Sequence, residues 1–410
     1  MNKIKSTLII NISQVFNIIF SLLFQLLLLK CFGIEFVGSI TSNIALVNVL
    51  SNLFCFGLGN YLISKFANNY QKIYSYKRAI YKYIAITGIL SFTLMILIGK
   101  LYGNYIFISL SFFTMLLSLS ITSVLSSFQQ LNQQFIKLAL VLSLVPFVRF
   151  LSLCISIYFK KNEFIFLLSI DILCLAVVIY SFKCVHNYLS SVNTEINKPF
   201  SALYKEVIPY GILNFCFIIY TNSAIVIMGL YGYNKYSVYI STSFLFVNCI
   251  LMIPTIIVQK IYAVEVYNLI LLKSIQIFEI RKKLIRLLLI YGTLTIIIYL
   301  LIGDNVIRMI FNDKSLILIE SLNILFFSLY IKLINLIHSL ILSSPLFVKT
   351  RVRFEILVCI IQVILIYILT GYLNYYYMLW VLVFIDVIWF VGYYLLVEIN
   401  LKGNKYEKDY

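Results

Sequence analysis

Long apolar runs recur along the whole chain, and each is about as long as a helix that crosses a bilayer. Spanning ~30 Å of hydrocarbon at 1.5 Å per residue takes roughly 20 residues. Twelve runs qualify. Six lie at about Thr7–Leu29, Val37–Ile63, Tyr83–Leu101, Tyr105–Leu125, Leu138–Phe159 and Phe164–Phe182. Six more lie at about Val207–Leu230, Tyr236–Gln259, Leu284–Ile302, Ser315–Leu342, Phe354–Thr370 and Tyr377–Val397. Only 11% of the 410 residues are charged and the mean hydropathy is +1.00. A soluble domain carries about 25% charged residues, so too little charge is present to build a water-facing surface. The expected fold class is an all-α membrane protein with about 12 transmembrane helices. The first run follows Met1–Lys5 with no small-residue cleavage site after it, and reads as an uncleaved span.

The net charge of +17 does not point to nucleic acid, because the basic residues lie in short loops between the runs, where they act as topology signals and contacts to anionic lipid. With both termini in the cytoplasm, the cytoplasmic segments hold 23 of the 32 Lys and Arg, and the opposite loops hold 7. That asymmetry fixes the expected orientation in a bacterial inner membrane. No external loop exceeds about a dozen residues, so no catalytic domain is expected outside the membrane and the chain does not read as an enzyme. The eight cysteines are isolated, without a CxxC pair, which implies neither a zinc site nor a disulfide framework. No metal or cofactor is expected.

The polar link Lys183–Glu206 divides the runs six and six. The expected organisation is an N-terminal half over 1–190, a cytoplasmic linker over 191–206 and a C-terminal half over 207–410. Transporters are often built from such repeated halves. A faint echo recurs 200 residues on, with Ile40-Thr41-Ser42-Asn43 and Val47-Asn48 matched by Ile240-Ser241-Thr242-Ser243 and Val247-Asn248.

Several runs carry polar stripes. The first places Asn11, Gln14, Asn17, Ser21 and Gln25 on one helix face. The second, seventh and eighth add Asn48 and Asn52, Thr221 and Asn222, and Asn248. Such groups either join helices by hydrogen bonds or line a wet cavity. Charges within the runs are sharper signals. Arg149, Lys332, Asp171 and Asp386 lie inside apolar runs, with Asn335 and His338 on the Lys332 face. A charge at mid-membrane costs about 2.5–3.5 kcal/mol even on lenient scales, so it must face a partner or water. Either Lys332 pairs with Asp386 and Arg149 with Asp171, or the two cations form the floor of a cavity for an anion while Asp171, Asp386 or His338 carries a coupling ion. Pro146, Pro209, Pro254 and Pro345 mark possible bends.

Short motifs carry a resemblance. The turn Gly33-Ile34-Glu35-Phe36-Val37-Gly38, the segment Phe56-Gly57-Leu58-Gly59-Asn60 followed by Ile63-Ser64-Lys65-Phe66-Ala67, Pro209 opening the seventh run, and Tyr236-Ser237-Val238-Tyr239 opening the eighth, with Pro254 later in it, resemble the O-antigen and polysaccharide repeat-unit flippases (Wzx-type). These belong to the superfamily of multidrug, oligosaccharidyl-lipid and polysaccharide exporters. The chain departs from them at Thr221-Asn222, where the family often has an acid, and at Asn234-Lys235, where a Gly is usual.

The resemblance implies two six-helix bundles rocking around a central cavity. It also implies transfer of an undecaprenyl-diphosphate-linked oligosaccharide from the cytoplasmic to the periplasmic leaflet, with an O-antigen polymerase and a chain-length regulator as neighbours. Arg149 and Lys332 suit the diphosphate, Asn335, Asn48 and Asn248 suit the sugars, and the lipid tail can stay in the bilayer. The alternatives are an ion-coupled multidrug antiporter of the same superfamily and a membrane O-antigen polymerase.

Overall fold

The structure is a computed structural model and describes residues 3–66, 70–101, 112–190, 199–258, 262–311, 315–344, 346–372 and 375–403. Among them the chain is helical, as it must be where lipid offers no partner for a free backbone N–H or C=O. The helices are α1 (Lys3–Cys31), α2 (Ile34–Cys55), α3 (Leu58–Phe66), α4 (Lys77–Leu101), α5 (Phe113–Leu131), α6 (Phe135–Tyr158), α7 (Glu163–Ser190) and α8 (Phe200–Leu230). They continue as α9 (Asn234–Ile256), α10 (Ala263–Leu271), α11 (Gln276–Ile298), α12 (Asp304–Phe311), α13 (Ser315–Phe327), α14 (Leu329–Leu342), α15 (Val348–Tyr372) and α16 (Tyr375–Gly403).

Among the described residues 10 helices are long and apolar enough to cross a membrane, and α13 with α14 makes an eleventh, bent by 47° at Ser328. The fourth expected run, 105–125, begins outside the described residues. Its described part lies in α5, which is rich in hydroxyls and buried: Ser118, Ser120 and Thr122 are shielded and return their hydroxyls to the carbonyl three or four residues back. Pro146, Pro209 and Pro254 lie inside α6, α8 and α9; Pro345 is outside the described residues. α8 starts at Phe200, before the expected Val207, so Pro209 is an interior residue of a 31-residue helix.

Contacts divide the chain into a unit over Met1–Val238 and a unit over Tyr239–Tyr410. In the first, α1 lies along α6, with Ser13 Oγ donating to the Ala139 carbonyl at 2.7 Å and Phe20 packed between Phe147 and Phe150. Ile89 and Leu90 of α4 are exposed apolar residues, as a lipid-solvated helix surface requires. α8, the helix expected to open the second half, groups with this unit because it lies along α2 and α3. The two strips meet through small residues: Gly38 touches the Asn234 backbone, Gly229 touches Ser42, and Gly57 touches Gly211. A Cβ at any of these would overlap its neighbour, which is how closely packed membrane helices are built. In the second unit Gly392 lets the Phe354 ring lie on α16, beside Trp389 and Tyr393.

Candidate functional site

The intramembrane cations have different surroundings. Arg149, in the middle of α6, is half-buried and its Nε is shielded without a hydrogen-bond partner. Among the described residues no carboxylate lies within ion-pair distance of it; Asp171 is instead bonded to Thr114, whose Oγ1 donates at 2.8 Å. The Cys174 thiol, one turn on from Asp171 in α7, is the near titratable neighbour of both. The Arg149–Asp171 pairing held open from the sequence therefore does not form. The Lys332–Asp386 pairing does: Lys332 Nζ on α14 donates to Asp386 Oδ2 on α16, and Asp386 is 1% exposed. A carboxylate so shielded needs that partner, since desolvation otherwise disfavours its charge.

The remaining candidates are dispersed. Asn335, one turn from Lys332, is half-buried with its Oδ1 unmatched. Asn48 is half-buried on α2, and its carbonyl accepts from Asn52 Nδ2 at 3.0 Å. Asn248 is exposed on α9. His338 is 1% exposed and its Nε2 lies 3.2 Å from Arg281 Nη2. A guanidinium only donates, so Nε2 is the acceptor and the proton sits on Nδ1, which has no partner. A second proton would have to sit against the Arg281 charge.

Three ionic clusters were not singled out from the sequence. Arg281 Nη1 donates to Glu398 Oε1 at 2.5 Å and its guanidinium lies 5.6 Å from the Tyr394 ring centroid. Arg351 Nε donates to Glu355 Oε1 at 2.5 Å, and the same oxygen accepts from Tyr393. Lys65 Nζ and Tyr61 Oη both donate to Glu206 Oε2, the latter at 2.6 Å. Partial burial pulls the Lys65 pKa down, but hydrogen bonds to Glu206 and Tyr76 outweigh it, so the net direction is upward and the ammonium stays charged. The four-residue spacing of Arg351 and Glu355 was the one available signal; the other pairs are far apart in sequence.

A groove of roughly 480 Å³ opens between α2, α4, α5 and α7, walled by Phe54, Ile84, Gly88, Phe92, Phe113 and Val185. Its lining suits hydrocarbon and offers nothing to an anion.

No protein-family model matches the sequence. No curated protein matches it either. Solved structures do match. A multidrug resistance MATE family transporter of the MOP superfamily, inward-facing, aligns with TM-score 0.65 at 12% identity over 98% of this chain and 99% of its own. The lipid II flippase MurJ, inward closed, aligns with TM-score 0.67 at 16% identity over 95% of this chain and 87% of its own. A MOP superfamily transporter from Pyrococcus furiosus, described as having a binding pocket of reverse polarity, aligns with TM-score 0.58 at 13% identity over 97% and 96%. The chain has the all-helical fold of the MOP-superfamily transporters.

Proposed function

We propose that this chain is a flippase that carries an undecaprenyl-diphosphate-linked oligosaccharide from the cytoplasmic to the periplasmic leaflet by alternating access. The observation that carries the reading is Arg149, a guanidinium at membrane depth with a shielded, unmatched Nε and no carboxylate within ion-pair distance among the described residues. A cation there calls for an anion from outside the protein, and a diphosphate fits its donors. A lipid II flippase with the same fold supports a lipid-linked substrate. Asn48, Asn335 and Asn248 are assigned to the sugars. Lys332 is already matched by Asp386, so it joins the substrate site only when that acid is neutralised, which makes Asp386 a coupling group with Asp171 as the second. The distribution of basic residues among the loops supports a reading with both termini in the cytoplasm of a bacterial inner membrane, and an O-antigen polymerase and chain-length regulator would act after it.

The test is deletion of the gene followed by analysis of lipid-linked glycans. The reading expects one diphosphate-linked oligosaccharide to accumulate on the cytoplasmic leaflet and to clear on complementation. An unchanged lipid-linked pool would contradict it.

One observation favours a second reading. Asp171 has Thr114 as its hydrogen-bond donor and no ion-pair partner among the described residues, and an unmatched acid suits a cationic drug in an ion-coupled antiporter. Efflux of cationic dyes that depends on Asp171 and not on Arg149 would favour that alternative.

A further inference from the structure

The seam of α2 and α3 against α8 and the start of α9 runs the full depth of a membrane. Contacts step along it in antiparallel order: Gly38 with Asn234, Ser42 with Gly229, Gly57 with Gly211, Tyr61 with Tyr210 and Lys65 with Glu206. Residues 38 to 65 correspond to about 40 Å of helix, more than the ~30 Å of hydrocarbon. The two ends are closed by different chemistry. At the Gly38 end the seal is glycine against backbone, with Ser42 Oγ donating to Ser237 Oγ at 3.2 Å. At the other end, which the basic loops place in the cytoplasm, the seal is ionic.

There Glu206 Oε2 accepts from both Lys65 and Tyr61, and the Lys65 ammonium lies 5.3 Å and 5.4 Å from the Tyr61 and Tyr76 ring centroids. Next inward, Asn60 Nδ2 donates to Asn214 Oδ1 at 3.0 Å. The Lys65 and Glu206 side chains are 32% and 44% exposed, so water and lipid headgroups reach them. An exposed ion pair of this kind is weakly held. Both strips also have a backbone break beside it. α2 and α3 are interrupted at Phe56-Gly57, where Gly57 has φ +77°, and Pro209 removes a rung of α8 three residues after Glu206.

We propose that Glu206 occupies the place of the substrate's diphosphate, and that a lipid-borne diphosphate arriving at the cytoplasmic leaflet displaces it from Lys65 and Tyr61 and so opens this end of the seam. The exchange is electrostatically reasonable: one carboxylate gives way to a group with more negative charge and more acceptor oxygens. The Tyr61 and Tyr76 rings keep the ammonium in place during the exchange. Pro209 and Gly57 let the two ends part while the Ser42–Ser237 end stays shut. This rests on the diphosphate-carrying function proposed above and adds the step at which the substrate admits itself.

The experiment uses the full-length chain with Asn214→Cys, in inside-out vesicles, labelled with a membrane-impermeant maleimide and compared with the chain carrying native cysteines only. The probes are undecaprenyl diphosphate, uncharged undecaprenol and inorganic diphosphate. Undecaprenyl diphosphate is expected to raise labelling of Cys at 214 severalfold, while undecaprenol and inorganic diphosphate do not. Glu206→Gln is expected to label at the raised level without any probe. Lys65→Gln removes the ammonium that would receive the diphosphate, so this variant is expected to label equally with and without undecaprenyl diphosphate. Unchanged labelling of the parent by undecaprenyl diphosphate, an equal response to inorganic diphosphate, or a full response in Lys65→Gln would overturn the proposal. A chain that opens to undecaprenyl diphosphate yet moves no lipid-linked oligosaccharide would instead overturn the flippase reading and leave the latch standing.

Discussion

In the Met1–Val238 unit, Arg149 lies in mid-helix without a carboxylate at ion-pair distance among the described residues, whereas in the Tyr239–Tyr410 unit Lys332 is clamped to Asp386. Both are single cations in apolar runs. The second is answered by the fold itself and contributes to holding α14 against α16. The first is unanswered by the fold, which is the condition of a group kept for a ligand. Removing one partner of a shielded pair strands the other, and removing an unmatched cation strands nothing.

That contrast sets the order of expected effects. Asp386→Ala removes the carboxylate that the shielded Lys332 ammonium donates to and is expected to cost about 3–5 kcal/mol, read as a large fall in the unfolding temperature of the purified protein. Replacing both partners, Lys332→Met with Asp386→Leu, should return stability to near the parental value without restoring any ion dependence of transport. A double variant as unstable as Asp386→Ala would mean the pair is not the source of the cost. His338→Leu leaves an Arg281 donor unmatched, and a loss of about 1–3 kcal/mol is expected; the same thermal measurement checks it. Ser42→Ala removes one interhelical hydrogen bond from the seam and should cost about 0.6 kcal/mol or less, a shift near the resolution of the method. Arg149→Ala should leave the unfolding temperature at the parental value. A fall as large as that of Asp386→Ala would place Arg149 in a structural role and erase the contrast.

The spans were legible because length and apolarity alone decide what crosses a bilayer, and ten of them appear as single long helices. The bend in the tenth run was not, since Ser328 interrupts an otherwise uniform apolar stretch by local geometry. The start of α8 was also hidden, because Ser201, Lys205 and Glu206 interrupt the apolar pattern while the segment stays helical and brings Glu206 to α3. Of the charges, Lys332 with Asp386 was one of the pairings the sequence left open, and it forms; the partners of Arg281 and Lys65 were not legible. Arg281 and Glu398 are 117 residues apart and Lys65 and Glu206 are 141 apart, so only the packing of helices brings them together. Glu355 lies at the second position of the expected eleventh run, and it is 1% exposed against Arg351 and Tyr393. The polar stripes of α2 serve in part as internal bonding, with Thr41 and Asn43 returning their polar groups to carbonyls one turn back at 2.7 Å.

The most direct measurement is leaflet transfer of an undecaprenyl-diphosphate-linked oligosaccharide in proteoliposomes, comparing the parent chain with Arg149→Ala at equal protein incorporation. The account predicts transfer by the parent and none above protein-free liposomes for Arg149→Ala, with both proteins unfolding at the same temperature. Transfer at the parental rate by Arg149→Ala would contradict it.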